Sequence, residues 1–312
     1  MIYTVTLNPA IDKTVEIPGF AAGKVNRVQT LREDAGGKGI NVSKCLKALG
    51  TESVAAVILA GETGNRLTEL LKQEGVAVLP VQTAGQTRTN LKIIAPDLGE
   101  NTDINEPGPQ VGQTQLRQLL VRICQRIRPG DIVVLSGSLP VGAVQDTYRL
   151  WIERFHELGA RVLLDADGAC LAEGIQGKPE LIKPNETELA RLLRRSLETE
   201  GQIIAAGREL LAKGISNVVI SLGERGALFL WQDGFYRAKS LSVPVHSTVG
   251  AGDSVVAAMA YGMEKDLSKP EQIALAMAMG AASVMQSGTQ APDARTVFEL
   301  VQQVEIEKVK KV

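Results

Sequence analysis

Hydrophobic residues fall in two rhythms along this chain. Short apolar runs, Asp131-Ile-Val-Val-Leu, Arg161-Val-Leu-Leu-Asp-Ala, Glu180-Leu-Ile-Lys and Asn217-Val-Val-Ile-Ser-Leu, read as buried strands. Between them lie stretches of helical period: residues 145–158, stopped by Gly159, and residues 203–213, stopped by Gly214. Strands without polar alternation, separated by helices, predict a parallel sheet covered by helices on both faces. A further run of small residues, Val255-Val-Ala-Ala-Met-Ala-Tyr-Gly-Met, predicts a buried helix.

The first third differs. Met1 to Leu7 alternates as a strand, and a helix from near Gly39 to Leu49 carries Val42, Leu46 and Leu49 on one face, with Gly50 as its stop. Residues 89–95 and 101–105 flank Pro96-Asp-Leu-Gly, the pattern of an antiparallel hairpin. Thr14-Val-Glu-Ile-Pro is another extended piece. These pieces are expected to form a small sheet standing off the main one, a candidate lid. Without repeats, low-complexity tracts or a linker, residues 1–312 are read as one domain, its lid strands drawn from about 12–35 and 87–106.

Composition narrows the function. Lys plus Arg (34) nearly balance Asp plus Glu (35), which argues against an electrostatic nucleic-acid binder. The locally basic end, residues 307–312, is expected to be a solvated terminus. Cys45, Cys124 and Cys170 lie far apart and outside any CxxC spacing, so reduced buried thiols are expected. The start lacks a basic n-region, and the richest apolar run, Ile273 to Met285, is broken by Gly280. A cytoplasmic protein without a membrane span is expected.

The chemistry concentrates in Ser247-Thr-Val-Gly-Ala-Gly-Asp-Ser254. A helix starting at Gly250 aims free N–H groups and its positive dipole end outward, a cradle for an anion. Asp253 in its first turn would repel that anion, unless it takes a proton from a nucleophile attacking a bound phosphate. A capped helix with Asp at a favoured position is the plainer alternative. Ala35-Gly-Gly-Lys-Gly-Ile-Asn41 is not a Walker P-loop, because the GxxxxGK[ST] spacing is absent. Its glycines and Lys38 can still hold an anionic group, and Asn41 suits hydroxyls; taken alone, the segment is read first as a tight turn with a solvated lysine. Arg88 is placed to fork onto a phosphate or to sit in solvent. Asn185 and Glu188, three apart in Lys183-Pro-Asn-Glu-Thr-Glu188, form a capping-box pattern and also suit the waters of Mg²⁺. Asp12, past the first strand, lies where open α/β sheets place ligands, and also suits a turn. His156 falls in a surface helix and His246 is read as a strand-end residue. No Ser/His/Asp set or zinc cluster stands out, and no GxGxxG follows the first strand.

Together these segments resemble the ribokinase/PfkB carbohydrate kinase family. The resemblance rests on Asn8-Pro-Ala-Ile-Asp12, Gly36-Gly-Lys-Gly-Ile-Asn-Val42, Thr87-Arg-Thr-Asn90, Ser136-Gly-Ser-Leu-Pro140, Lys183-Pro-Asn-Glu186 with Glu188, Ser221-Leu-Gly223 through Gly226-Ala227, and Ser247 to Asp253, in that order. Within the family the chain is similar to the 1-phosphofructokinase and tagatose-6-phosphate kinase branch. The resemblance implies a ribokinase-like α/β sandwich with a small β-sheet lid, and ATP-dependent phosphorylation of a ketohexose phosphate, fructose 1-phosphate ahead of tagatose 6-phosphate. It makes Asp253 the base and the N–H groups of Gly250, Ala251 and Gly252 the anion hole. It assigns Asp12, Gly37, Lys38, Asn41, Arg88 and Ser138 to the sugar phosphate. Lys183, Asn185, Glu188, Ser221, Gly223 and Gly226 fall to ATP, with Asn185 and Glu188 serving Mg²⁺ through water. A homodimer pairing through the lid is expected.

Overall fold

The computed structural model describes residues 1–309. Its main sheet has parallel pairings throughout β5 (Ala77–Thr83), β4 (Ser53–Ala60), β1 (Ile2–Thr6), β8 (Ile132–Ser136), β9 (Arg161–Asp165), β10 (Leu181–Ile182) and β11 (Asn217–Ser221), neighbours in that order. The antiparallel strands β12 (Ala227–Trp231), β13 (Gly234–Ala238) and β14 (Ile306–Val309) extend one edge. Residues 307–309, expected to be solvated, keep Glu307 and Lys308 exposed and also pair along this sheet, Ile306 and Lys308 opposite Ala238 and Tyr236. Of that basic end, residues 310–312 lie outside the described residues.

Strand residues feed two layers by their period of two. Val133, Leu135, Val162 and Leu164 face one way, against α3 (Gln113–Cys124), α4 (Thr147–Glu157), α5 (Gly168–Gly174), α6 (Glu186–Leu193) and α7 (Glu200–Ala212). Ile132, Val134 and Leu163 face the other way, toward α1 (Lys38–Ala48), α8 (Ala251–Glu264), α9 (Lys269–Val284) and α10 (Ala294–Val301). On that second side α2 (Gly61–Gln73) covers Ala55, Val57 and Leu59 of β4. The small residues Ala257, Ala258, Ala276 and Ala278 let α8 and α9 pack closely along largely buried helices. Each fully buried large apolar side chain contributes about 1.5–3 kcal/mol. No described helix is long and apolar enough to cross a membrane.

A separate four-stranded sheet runs β3 (Thr30–Gly36), β2 (Ala10–Glu16), β6 (Arg88–Ala95), β7 (Glu100–Asn105). The hairpin read from Pro96-Asp-Leu-Gly is β6–β7. The strand β3 was not legible, since Thr30-Leu-Arg-Glu-Asp is polar and half exposed. Register divides this sheet's side chains. Asp12 stands opposite Asn90, Thr14 opposite Lys92, and Lys92 opposite Asp103, all on one polar face. Val15, Leu31, Leu91, Ile93 and Ile104 take the other, apolar face.

Candidate active site

The carboxyl ends of the parallel strands, the polar face of the small sheet and the start of α8 enclose one cavity of about 390 Å³. Most of its chemistry sits at strand ends, where open α/β sheets bind ligands. Asp165 closes β9, Lys183 follows β10, and Asp12 lies in β2 just past β1.

Gly250 caps α8 in the left-handed region, at φ 85°, and its helix start has no side-chain cap. Glycine takes that conformation without strain. Gly250, Gly252 and Asp253 line the cavity, so the free N–H groups of that turn open toward it. A Cβ at Gly252 would stand 2.9 Å from the Lys183 ammonium, so the missing side chain is what admits that lysine. Asp253 is 6% exposed and accepts a 2.8 Å hydrogen bond from the Asn41 amide. Burial first, and then the like charge of Asp165, push its carboxyl up to about 7, against the lowering by Lys38, Asn41 and Lys183. Asn41, expected to bond sugar hydroxyls, lines the cavity and holds the acid through its Nδ2, while its Oδ1 has no hydrogen-bond partner.

Lys38 and Lys183 share one partner. Asp165 is 1% exposed, with one oxygen 3.4 Å from the Lys38 ammonium and the other 3.4 Å from that of Lys183. Burial alone would raise this carboxyl, yet the two lysines outweigh it and hold it below its ordinary value. The Lys38 ammonium, read as a sugar-phosphate ligand, therefore lies with Lys183 and Asp165.

Asp12 accepts a 2.9 Å hydrogen bond from Asn90 and a 3.4 Å one from Thr289. A Cβ at Gly36 would fall 2.2 Å from its carboxylate, so glycine there makes room for the acid. Arg88 lines the cavity but is braced, donating to the carbonyls of Asn8 at 3.1 Å and Glu106 at 3.1 Å. Gly37, Lys38, Asn185 and Glu188 also line the wall. Asn185 and Glu188 form the reciprocal capping box of α6, at 2.8 and 2.9 Å. Among the described residues no cluster of three or more His, Cys, Asp or Glu could cage a metal. A hydrated Mg²⁺ needs no such cage, and the cavity-facing Asn185 and Glu188 fit it.

Other expected residues lie elsewhere. Ser138 is exposed in the loop after β8, and Ala251, Ser221, Gly223 and Gly226 do not line the cavity. Ser221 is tied to this wall only through backbone, its N–H donating to Pro184 at 3.1 Å. His246 is exposed in a loop and not at a strand end, because β13 stops at Ala238. Cys124 is half-buried, while Cys45 and Cys170 are buried, and all three are free thiols. Sequence reasoning missed Asp165, Lys92, Asp103 and Thr289. Asp165 could have been found by the strand-end rule that selected Asp12; the others needed the three-dimensional register.

The profile of the pfkB family carbohydrate kinases matches residues 4–296. The chain belongs to this family of sugar kinases. It is 40% identical over 275 residues to a 1-phosphofructokinase of Xanthomonas campestris, covering 87% of this chain and 86% of that one. To a 1-phosphofructokinase of Haemophilus influenzae it is 36% identical over 306 residues, covering 98% and 97%. Among solved structures it superposes on phosphofructokinase-2 from Escherichia coli in complex with potassium, with a TM-score of 0.93, 32% identity, and 97% and 98% of the chains covered. The same enzyme in complex with substrates and products gives 0.93 at 31% identity, covering 97% and 98%.

Proposed function

We propose that the chain transfers the γ-phosphoryl group of ATP to the 6-hydroxyl of fructose 1-phosphate, giving fructose 1,6-bisphosphate and ADP. The observation that carries this reading is the buried Asp253, held by Asn41 at the free N-terminus of α8. The acceptor oxygen bonds to the γ-phosphorus as the bond to the β–γ bridging oxygen breaks, and that electron pair leaves with ADP. The hydroxyl proton passes to an Asp253 oxygen. Such a transfer needs alignment and charge stabilisation more than covalent help. The N–H groups of Gly250, Ala251 and Gly252 stabilise charge on the moving phosphoryl. Asp12, Gly37 and Arg88 orient the sugar phosphate, and Lys183 and Lys38 face the phosphates of ATP. Ser138, Ser221, Gly223 and Gly226 stay second to these, since they stand outside the cavity. Asn185 and Glu188 would hold Mg²⁺ through its waters, and a bound ion would neutralise charge on the nucleotide.

The 1-phosphofructokinase relatives favour fructose 1-phosphate over the 6-phosphate. On this reading residues 1–312 are one domain, and the small sheet is a lid whose polar face shuts out water that would otherwise hydrolyse ATP. The lid also supports a homodimer, because Leu31 and Ile104 are 53% and 52% exposed on its apolar face. The test is ADP release with fructose 1-phosphate, tagatose 6-phosphate and fructose 6-phosphate, with product phosphates placed by ³¹P NMR. The highest kcat/KM on fructose 1-phosphate is expected; no release with any of the three overturns the reading.

A further inference from the structure

We infer that Asp165 is a positioning residue: a buried anionic bridge that fixes Lys38 and Lys183 side by side at the cavity floor and sets the pH range of the base. The inference rests on the proposed function for the meaning of the base, and on geometry for the bridge. Asp165 ends β9 on the cavity wall, 1% exposed, and neither of its carboxylate oxygens accepts a hydrogen bond. What it has is one ammonium per oxygen, each at 3.4 Å, from two different elements. A lone buried carboxylate is costly, so its two cations are required partners.

The two lysines differ on their other sides: the Lys38 side chain is partly open to solvent, and that of Lys183 is buried. The stem of Lys38 runs past Gly137, where a Cβ would lie 3.7 Å from Lys38 Cβ. The Lys183 ammonium lies over Gly252, in the turn that carries Asp253. Asp165 therefore sets where two positive charges stand relative to the base. The groups bearing on Asp253 are Lys38 and Asn41 of α1, Asp165 at the end of β9 and Lys183 after β10; Cys45 lies nearby as a thiol. Glu188 of α6 acts on Lys38. Of these, Asp165 raises the Asp253 carboxyl and the two lysines lower it. A neutral isostere at position 165 removes the repulsion and frees both cations from competition, so both changes lower it.

The experiment compares Asp165→Asn and Asp165→Glu with the unchanged chain. For Asp165→Asn the acid limb of kcat/KM, and the Asp253 ¹³C-carboxyl titration of the unliganded protein, should move down by about one pH unit. Plateau turnover should fall about tenfold to a hundredfold as the lysines lose register. Asp165→Glu keeps the charge, so its acid limb should stay in place while turnover falls. A folded Asp165→Asn whose limb and titration do not move, or move up, overturns the inference and leaves a structural role only. Because the carboxyl titration needs no turnover, it decides the matter even if no sugar phosphate is a substrate. Where Asp165→Asn fails to fold, the unchanged protein is read by ¹H–¹⁵N signals of the lysine ammoniums. Two slowly exchanging Nζ groups, assigned by their loss in Lys38→Arg and Lys183→Arg, support the bridge; rapidly exchanging ones contradict it.

Discussion

At the scale of single residues, Asp253 meets two opposed demands. As the proposed base it must be ionised, yet its burial and Asp165 push its carboxyl up to about 7. Activity should therefore rise with pH below about 7 and level off above it, read as the acid limb of kcat/KM. Stability runs the other way. The folded-state value lies above the unfolded one, so the group's contribution is full at low pH and is lost as pH rises through about 7. Asp253→Asn stays neutral and escapes that loss. Its resistance to urea should exceed that of the unchanged chain at pH 8.5, and the difference should shrink as pH falls through about 7 toward the ordinary value of 3.8; a constant difference would show that Asp253 is not strained when ionised.

At the scale of elements, the small sheet is held to the main body by Arg32. It donates to the Ser287 carbonyl and to Asp34, each at 2.8 Å, and a Cβ at Gly288 would strike its guanidinium. That loop brings Gly288 and Thr289 to the cavity wall. Arg32→Ala should raise the KM for the sugar phosphate severalfold and increase ATP hydrolysis without sugar. Its effect on unfolding should stay within about 1 kcal/mol, since partly exposed ion pairs contribute little. An unchanged KM would free β3 from any part in closure. Elements with strong periodicity were legible: α1, α4, α7, α8 and the strands β8, β9 and β11 lie within a few residues of where apolar runs and glycine stops put them. The polar strand β3 and the edge strand β14 were not, because pairing rather than hydrophobic pattern makes them strands. At the site, Asp253, Asn185 and Glu188 were legible from local helix-start chemistry. The Lys38–Asp165–Lys183 group was not, because it joins three segments distant in sequence.

At the scale of the whole molecule, one cavity collects the ends of a parallel sheet, the polar face of a second sheet and a helix N-terminus. On the apolar face of that second sheet Val15 and Ile93 are buried with Ile17 against Phe20, while Leu31 and Ile104 stand exposed at its margins. Light scattering should give twice the chain mass, and Leu31→Lys with Ile104→Lys should give the single mass with weakened sugar-phosphate binding. A monomer in the unchanged chain would remove the second copy from the account. The central claim is that Asp253 takes the proton from fructose 1-phosphate as phosphoryl moves. It is tested most directly by the turnover of Asp253→Asn at saturating ATP and fructose 1-phosphate, with ATP binding measured alongside by calorimetry. A fall of at least about 100-fold with ATP binding retained is predicted; turnover close to that of the unchanged chain would contradict it.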